Sequence, residues 1–448
     1  MSFFSKGYGY RDFEQQLPIT PQTIFPIASC SKTFAAALTG IATDEGRISL
    51  DSPAHQYLPK FKLSSDYLTK HVTVEDLLTH RTGIPGHDWA WTFNTNYSHE
   101  EYFKRISNLE ASAPLRTKWQ YNSFMYLVVS VLNEKLFGMD WNHILKNKLF
   151  APLEMHNSYG GYEVIDNRSN LALTYSYKDS FRLEERLQMD DLEGGGAINS
   201  TASDLTHWLI MWINGGTYHD KKVLSGQFVK NAISSHFIIS NGLPDKYNDE
   251  YFENMGLGWF LSSYRGHYKV QHTGNLSGFS SKLVFYPYDS MGIVILTNQN
   301  NSPLIHLIPD FITDLCFQLQ PRDQHSTLLE EQKRALLAMS KKQKNNTDQA
   351  SKRPFHSLAS YCGSFYNPGY GHLSIDTLSK RLVLHYAGMK LVLLPEGRDF
   401  FSSHYFENGS VADGGVGNVN FTFNKSGKVE RVDLPLEPSL KNIVFTKL

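Results

Sequence analysis

Apolar residues recur at helical spacing in several segments of the first half of the chain. Between Ser31 and Gly46, Phe34, Leu38 and Ile41 occupy positions i, i+4 and i+7, and three alanines fill the middle. This spacing predicts a helix with Gly46 as its C-terminal cap. Similar patterns predict three further helices, at residues 77–78, 124–136 and 205–213.

The pattern changes to short β-type runs from about residue 257 onward. These runs lie at residues 258–261, 267–272, 282–286 and 292–296, with turn residues between them. Connections this short favour antiparallel neighbours, because a parallel crossover needs about a dozen residues or more. The first part of the chain is therefore predicted to be mixed α and β, with a helix-rich middle inserted between sheet elements.

A polar stretch at residues 339–354 is predicted to be a linker, since it is almost free of apolar side chains. After it, Val419, Phe421 and Phe423 alternate with polar residues, which is typical of strands. Several such runs predict a small antiparallel barrel or sandwich. The predicted organisation is a domain at 1–338, with a sheet part at about 1–50 and 220–338 and a helical part at about 51–219, then the linker and a β-domain at 355–448.

Composition and charge exclude several classes of protein. The 43 basic and 44 acidic side chains give a net charge of −1, which argues against a nucleic-acid partner or a membrane surface bound by bulk electrostatics. No segment approaches the roughly 20 apolar residues of a membrane-spanning helix, and the N-terminus has no apolar core of signal-peptide length. Three widely spaced cysteines give neither a disulfide framework nor a metal spacing. The chain as given is expected to be cytoplasmic; a truncated N-terminus would leave a periplasmic or secreted location open.

Most familiar catalytic motifs are absent from the sequence: there is no HExxH, CxxC, P-loop or GxSxG. The run Gly194-Gly195-Gly196 could form a phosphate cradle, but it lacks the strand and lysine context, so a flexible turn is the favoured interpretation. The one S-x-x-K motif of the chain is Ser29-Cys30-Ser31-Lys32, at the start of the first predicted helix.

This placement has chemical consequences for Ser29 and Lys32. On a helix, residues i and i+3 share a face and lie close together. A helix N-terminus favours developing negative charge, and burial disfavours the ammonium form of a lysine. The pair could therefore act as nucleophile and base. The alternative is an N-cap serine followed by a surface lysine.

Two further segments complete a three-part pattern. Trp119-Gln-Tyr121-Asn-Ser123 precedes the predicted helix at 124–136, and His272-Thr-Gly274 ends a predicted strand. Alone, Tyr121 is a packed aromatic residue and His272 a strand-end histidine. In the order S-x-x-K, Y-x-S and H-T-G, the three motifs indicate a single site.

These motifs resemble those of the serine β-lactamase and penicillin-binding-protein superfamily, in the class C-like branch that includes esterases and D-aminopeptidases. The resemblance covers about residues 1–335 and includes the segments 25–34, 46–53, 74–85, 152–155 and 194–204. It implies an α/β, β-lactamase/transpeptidase-like fold, in which helices and an inserted all-helical subdomain flank an antiparallel sheet. The tail around Tyr361 resembles the lipocalin-like β-barrel domain that follows some of these hydrolases.

The resemblance also implies roles for four catalytic residues. Ser29 would be the nucleophile, Lys32 its activating partner and Tyr121 a second proton-transfer group. His272 stands where β-lactamases often have the lysine of a K-T-G strand, and would assist. Neither a metal nor an organic cofactor is expected.

Substrate binding is expected from Ser123, Thr273, Gly274 and Asn275, and the backbone N–H groups of Ser29 and Asn275 would form the oxyanion hole. Ser123 replaces the usual asparagine of Y-x-N, so substrate-amide binding is expected to differ. The histidine of the third motif removes a permanent positive charge that would hold a carboxylate. The chain also begins near the predicted strand at 7–11, where the family normally has a leading helix and strand.

The resulting prediction is a serine hydrolase that forms an acyl-enzyme on amide or ester bonds of small or D-amino-acid-containing substrates, as a peptidase or esterase. The alternatives are a β-lactamase or DD-carboxypeptidase and, in another class, a catalytically silent binding protein. The expected partner is a small-molecule or peptide substrate, and a homo-oligomer remains open.

Overall fold

The computed structural model describes residues 4–91, 97–166, 168–177, 180–184, 186–187, 189–240, 243, 249–330, 333–334, 353–407, 410–411 and 414–448. The chain divides into two compact units. Unit 1 comprises Met1–Phe61, Asp66–Gly83 and Ala113–Arg322, and unit 2 comprises Lys62–Ser65, Ile84–Ser112 and Asp323–Leu448. Most of the predicted linker, residues 339–352, lies outside the described residues.

The described helices, numbered in chain order, are α1 (Ser31–Asp44), α2 (Ala54–Tyr57), α3 (Asp66–His71), α4 (Val74–Leu78), α5 (His99–Ile106), α6 (Ser123–Phe137), α7 (Trp141–Leu145), α8 (Ala202–Ile213), α9 (Gly226–Ala232), α10 (Leu304–Cys316) and α11 (Leu358–Tyr361). Shorter 3-10 helices lie at Ala28–Cys30, Asp88–Ala90, Arg168–Asn170 and Asp190–Gly195, and a π-helical turn at Lys146–Phe150. The four helices predicted from apolar spacing are confirmed as α1, α4, α6 and α8.

The strands of unit 1 are β1 (Tyr10–Asp12), β2 (Leu17–Pro18), β3 (Phe25–Pro26), β4 (Tyr175–Tyr177), β5 (Phe181–Leu183), β6 (Asn199–Ser200), β7 (Thr217–Tyr218), β8 (Lys221–Lys222), β9 (Phe237–Ser240), β10 (Glu253–Met255), β11 (Phe260–Tyr264), β12 (His267–Leu276), β13 (Phe279–Tyr286) and β14 (Met291–Thr297). The strands β9 to β14 form one sheet in the order β14-β13-β12-β11-β10-β9. All its pairs are antiparallel, as the short connections predict. The earlier strands form two-stranded ribbons, β1-β2 among them.

The large sheet lies between helices. Phe285 on β13 packs against Trp212 of α8, with ring centroids 6.4 Å apart. The next residue, Tyr286, faces the other way, and its hydroxyl lies 3.1 Å from Thr313 Oγ1 on α10. Because side chains alternate along a strand, α8 and α10 cover opposite faces. His272 pairs with Leu283 on β13. Leu283 is two residues from Phe285 and so points to the same face of the sheet, and paired residues share a face. His272 therefore projects from the face that α8 covers.

The helix α1 is a central core element of unit 1. Its residues from Ser31 to Ala42 are all buried, and Phe34 stacks on Trp208 of α8 with ring centroids 3.9 Å apart. Full burial of one such large apolar side chain stabilises a fold by about 1.5–3 kcal/mol. The helix that follows the S-x-x-K motif is therefore held rigidly by packing.

In unit 2 the strands are β15 (Gly363–Asn367), β16 (Gly371–Leu378), β17 (Arg381–Tyr386), β18 (Met389–Pro395), β19 (Phe400–Glu407), β20 (Ser410–Val411), β21 (Asn418–Phe423), β22 (Val429–Leu434) and β23 (Ile443–Lys447). Eight of them close into an antiparallel barrel, because β18 also pairs with β19, and β20 extends from β19. Because the pairing of β18 with β19 closes the sheet, the β-domain is a barrel and not a sandwich. Large side chains pack inside, as in Tyr361 with Phe401 and Phe421 at centroid distances of 5.1 and 4.9 Å.

The segment 84–112, here called the strap, belongs to unit 2 although it comes from the middle of the predicted helical part. The backbone N–H of His87 donates to Glu437 Oε2 at 3.0 Å, and the hydroxyl of Tyr386 donates to the carbonyl of Trp89 at 2.7 Å. Tyr370 Oη lies 2.7 Å from Nδ1 of His87. Sequence patterns alone did not indicate that this segment packs with the barrel.

Among the described residues, no helix combines the length and the apolar character that crossing a bilayer requires.

Candidate active site

Ser29 lies in the 3-10 turn Ala28–Cys30, which leads directly into α1. It therefore precedes the first residue of the helix by two positions. Its neighbours Ala28 and Cys30 are buried, whereas Ser29 is partly exposed. Ala28 has a φ of 47°, a conformation that costs a non-glycine residue about 1–3 kcal/mol and is typical of functional sites. The turn therefore presents one hydroxyl to solvent at the N-terminus of a buried helix.

Lys32 is completely buried one helical turn after Ser29. Its Nζ lies 3.2 Å from Ser29 Oγ, 3.2 Å from Ser123 Oγ and 2.5 Å from the carbonyl oxygen of Gly195. The S-x-x-K spacing thus brings the two side chains into hydrogen-bond contact, and the alternative of a surface lysine is excluded. The amine is held by atoms from three separate segments.

Tyr121 and Ser123 stand at the entrance of α6. Asn122 caps this helix, because its Oδ1 accepts from the backbone N–H of Met125. Lys32 Nζ lies 4.8 Å from the centroid of the Tyr121 ring. The hydroxyl of Ser123, predicted to bind substrate, is buried and contacts the lysine amine, so its position also suits proton transfer within the site.

His272 is 1% exposed and its Nδ1–H donates to the carbonyl of Thr273 at 2.7 Å. Burial, together with the nearby Lys32 amine, lowers the pKa of His272 to about 3. The imidazole is therefore neutral at physiological pH and offers Nε2 as an acceptor. It has none of the charge that a lysine would supply here. Its ring packs on Phe260 and lies near Tyr121, at centroid distances of 5.2 and 6.4 Å.

The strand β12 continues past the end of β11. The last pair between them is Phe260 with Gln271, so the residues from His272 to Leu276 extend beyond this partner. Thr273 is half-buried and Asn275 is exposed, with its Oδ1 accepting from Ser280 Oγ at 2.9 Å. These residues are therefore positioned at a strand edge near the turn that carries Ser29.

Gly274 is the point where this edge approaches the turn that carries Ser29. A Cβ at position 274 would lie 2.2 Å from the carbonyl oxygen of Ile27 and 2.4 Å from Ser281 Oγ. Only glycine permits such a close approach of two backbone segments. Cys30 Sγ also lies 3.4 Å from the carbonyl oxygen of His272. The turn and β12 are thus in direct contact on both sides of Ser29.

The glycine run was not identified as part of the site from the sequence. Gly194 and Gly195 are buried, and the N–H of Gly194 donates to Ser130 Oγ at 2.9 Å. A Cβ at Gly195 would lie 2.7 Å from Leu192 Cγ. The favoured interpretation, a flexible turn, was wrong: the run is packed, and the carbonyl of Gly195 binds Lys32. The available sequence signal was the run of three consecutive glycines itself.

A hydroxyl on a turn before a buried helix, a lysine amine at 3.2 Å and a tyrosine beside it form an arrangement in which the hydroxyl can be activated for nucleophilic attack. Residues 2–312 match the family described as Beta-lactamase, and residues 347–447 match one described as Domain of unknown function (DUF3471). The chain therefore belongs to the β-lactamase family, and it is a hydrolase of the serine β-lactamase and penicillin-binding-protein type.

Similar proteins agree with this assignment. The "Unguisins hydrolase ungD'" of Aspergillus campestris is 27% identical over 98% of this chain and 84% of its own. The octameric penicillin-binding protein homologue of Pyrococcus abyssi has a TM-score of 0.63 at 21% identity, over 99% and 93% of the two chains. A class C β-lactamase of Rhodobacter sphaeroides has a TM-score of 0.57 at 19% identity, over 69% and 90%. The two structures share the fold with this chain.

Proposed function

We propose that the protein hydrolyses amide or ester bonds through an acyl-enzyme formed on Ser29. The observation that carries the proposal is the buried Lys32 amine, which lies within hydrogen-bond distance of both Ser29 Oγ and Ser123 Oγ. A nucleophile and a base at this separation can exchange a proton directly.

Three contacts of Lys32 Nζ are compatible with a neutral amine. A neutral –NH₂ group has two N–H donors and one lone pair. The carbonyl of Gly195 and the hydroxyl of Ser123 can accept its two hydrogens, which leaves the lone pair for the Ser29 proton. Desolvation disfavours the charged form of a buried amine. The surroundings of Lys32 therefore support a role as general base.

The proposed reaction proceeds in two steps. Ser29 Oγ attacks the substrate carbonyl while its proton moves to Lys32, and the bond to the leaving group breaks as Tyr121 passes this proton from Lys32 to that group. Water then attacks the acyl carbonyl and gives a proton, through the same two side chains, to Ser29 Oγ, so that the acyl group leaves as a carboxylic acid and the Ser29 hydroxyl is restored. The N–H groups of Ser29 and Asn275 are the proposed donors to the oxyanion, each worth about 3–4 kcal/mol in comparable sites. The contact between the turn and Gly274 supports this pairing.

The walls of the site favour uncharged substrates. Trp119, Tyr121 and Phe260 lie within about 6.5 Å of one another, ring centre to ring centre, and His272 is neutral. Without a cation at this position, a substrate carboxylate loses the partner that a lysine would offer. We propose esters or amides of small or D-amino-acid-containing compounds, as a peptidase or esterase. A relative that is named a hydrolase supports turnover rather than silent binding.

The proposal is tested by turnover measurements on a panel of activated esters, D-amino-acid amides and penicillin. Ser29→Ala should lower turnover by several orders of magnitude. Ser31→Ala is the matched control, because Ser31 is two residues away and its hydroxyl accepts from the backbone N–H of Ile198 instead. Penicillin as the best substrate would favour the β-lactamase or DD-carboxypeptidase alternative. No turnover of any member, with a folded protein, would favour a binding protein.

A further inference from the structure

We propose that His80 is a positioning residue that fixes Tyr121 in its catalytic orientation. His80 lies two residues after the end of α4, within the segment 74–85, and no role was assigned to it from the sequence. The inference rests on the proposed function of Tyr121 and extends it to the structure that holds this side chain.

Three contacts connect His80 to both sides of Tyr121. The backbone carbonyl of His80 accepts from the N–H of Gln120 at 2.8 Å, and its Nδ1 accepts from the N–H of Asn122 at 3.1 Å. The imidazole itself packs on the Tyr121 ring, with centroids 4.4 Å apart and planes inclined by 37°. One residue thus binds the peptide groups before and after the tyrosine and supports its ring.

These three contacts, here called the His80 clamp, require a neutral imidazole. Nδ1 can accept from Asn122 only when it carries no proton, so the ring hydrogen is on Nε2. His80 is completely buried. Burial is the main cause that holds the pKa of His80 well below its usual value, and a proton on Lys32 or on His272 would lower that pKa further. The other rings that face the imidazole are those of Trp119, Tyr121 and Tyr126, and burial raises the pKa of Tyr126 well above its usual value.

The histidine is itself firmly anchored. Its φ is 57°, a left-handed conformation that a non-glycine residue adopts only where its surroundings impose it. The next residue, Arg81, binds Asp76 of α4 at 2.6 Å, and its carbonyl accepts from the N–H of Arg116. Tyr126 Oη donates to the carbonyl of Leu78 at 2.7 Å. The end of α4 and the start of α6 are therefore joined at several points, with His80 in the middle.

Two substitutions separate the parts of the clamp. His80→Phe keeps a ring beside Tyr121 but removes the acceptor for the Asn122 N–H. His80→Asn tolerates the left-handed conformation and keeps an acceptor near the Nδ1 position, but removes the ring. With an activated ester, His80→Phe is expected to lower kcat by about 10- to 100-fold with little change in KM, since small misplacements of a catalytic group cost about this much. His80→Asn should recover part of the loss.

The deciding measurement is a double-mutant cycle with Tyr121→Phe. If His80 acts through Tyr121, either His80 substitution should change kcat less than twofold in the Tyr121→Phe background. Equal effects in both backgrounds, or an unchanged kcat in His80→Phe, would overturn the inference. If His80→Phe does not fold, the cycle with His80→Asn decides in the same way.

His87 provides a matched control, because it is also buried and left-handed, with a φ of 46°, but belongs to unit 2. His87→Phe should lower thermal stability without the selective loss of kcat. The proposed function fails separately: it is wrong if Tyr121→Phe and Ser29→Ala both retain full kcat. If those two variants are impaired while His80 acts independently of Tyr121, only the inference about His80 fails.

Discussion

Replacing Lys32 by methionine is the most informative single change in the proposed proton path. Methionine keeps most of the volume of the buried side chain but removes the amine that lies 3.2 Å from Ser29 Oγ. A general base at this distance contributes about 10²–10⁴-fold to a rate. Because nucleophile and base act as a unit, the loss in Lys32→Met should approach that of Ser29→Ala.

The expected loss in kcat/KM of Lys32→Met can be converted to a free energy. A loss of 10³- to 10⁴-fold in kcat/KM corresponds to about 4–5.5 kcal/mol of transition-state stabilisation. The free energy of unfolding should change much less. The carbonyl of Gly195 loses a donor, at a cost of about 1–3 kcal/mol, but the cost of burying an amine disappears as well. The expected result is a large kinetic defect with a small change in the free energy of unfolding.

The assay is the rate of acylation by an activated ester, followed by stopped flow, with thermal unfolding by circular dichroism on the same sample. Lys282→Met is the matched control: Lys282 is also buried, but it projects from the α10 face of β13, where Nζ lies 3.4 Å from His306 Nδ1. Its acylation rate should equal that of the unchanged protein. A Lys32→Met protein that folds and loses less than tenfold in rate would refute the assigned base.

Three further predictions test other parts of the structure. Gly274→Ala should lower both kcat and thermal stability, since its Cβ would lie 2.2 Å from the carbonyl oxygen of Ile27; equal kinetics would show that this contact does not shape the site. His272 has a pKa of about 3 when folded and 6.5 as an isolated group, so the unfolded chain binds more protons between these values. Stability should fall by about 1.4 kcal/mol per pH unit as the pH drops below 6.5, and less steeply in His272→Gln in urea titrations; parallel slopes would contradict the buried neutral state. Deletion of residues 353–448 should reduce the melting temperature, because the strap at 84–112 loses its hydrogen-bond partners; an unchanged melting temperature and a monomeric product by light scattering would contradict this.

Local patterns predicted the elements whose apolar residues recur at a regular spacing along the chain. The apolar spacing around Phe34 predicted α1, and the alternation at Val419, Phe421 and Phe423 predicted β21, because helix and strand periodicity follow directly from backbone geometry. The i, i+3 spacing of Ser29 and Lys32 also predicted their contact. These inferences need no knowledge of distant residues.

Features that depend on long-range packing could not be predicted in the same way. The closure of β18 onto β19 makes the barrel, and no local pattern distinguishes it from a sandwich. The strap joins unit 2 through partners far away in sequence, such as Glu437. The carbonyl of Gly195 reaches Lys32 across 163 positions. A backbone carbonyl has no side-chain signature, so a sequence motif does not reveal it.

The central claim is that Ser29 forms the covalent intermediate, and intact-mass spectrometry with a fluorophosphonate probe tests it most directly. The protein should gain the mass of one adduct, peptide mapping should locate it on Ser29, and Ser29→Ala should remain unmodified while Ser31→Ala is labelled. An adduct on another residue, or equal labelling of Ser29→Ala, would contradict the account.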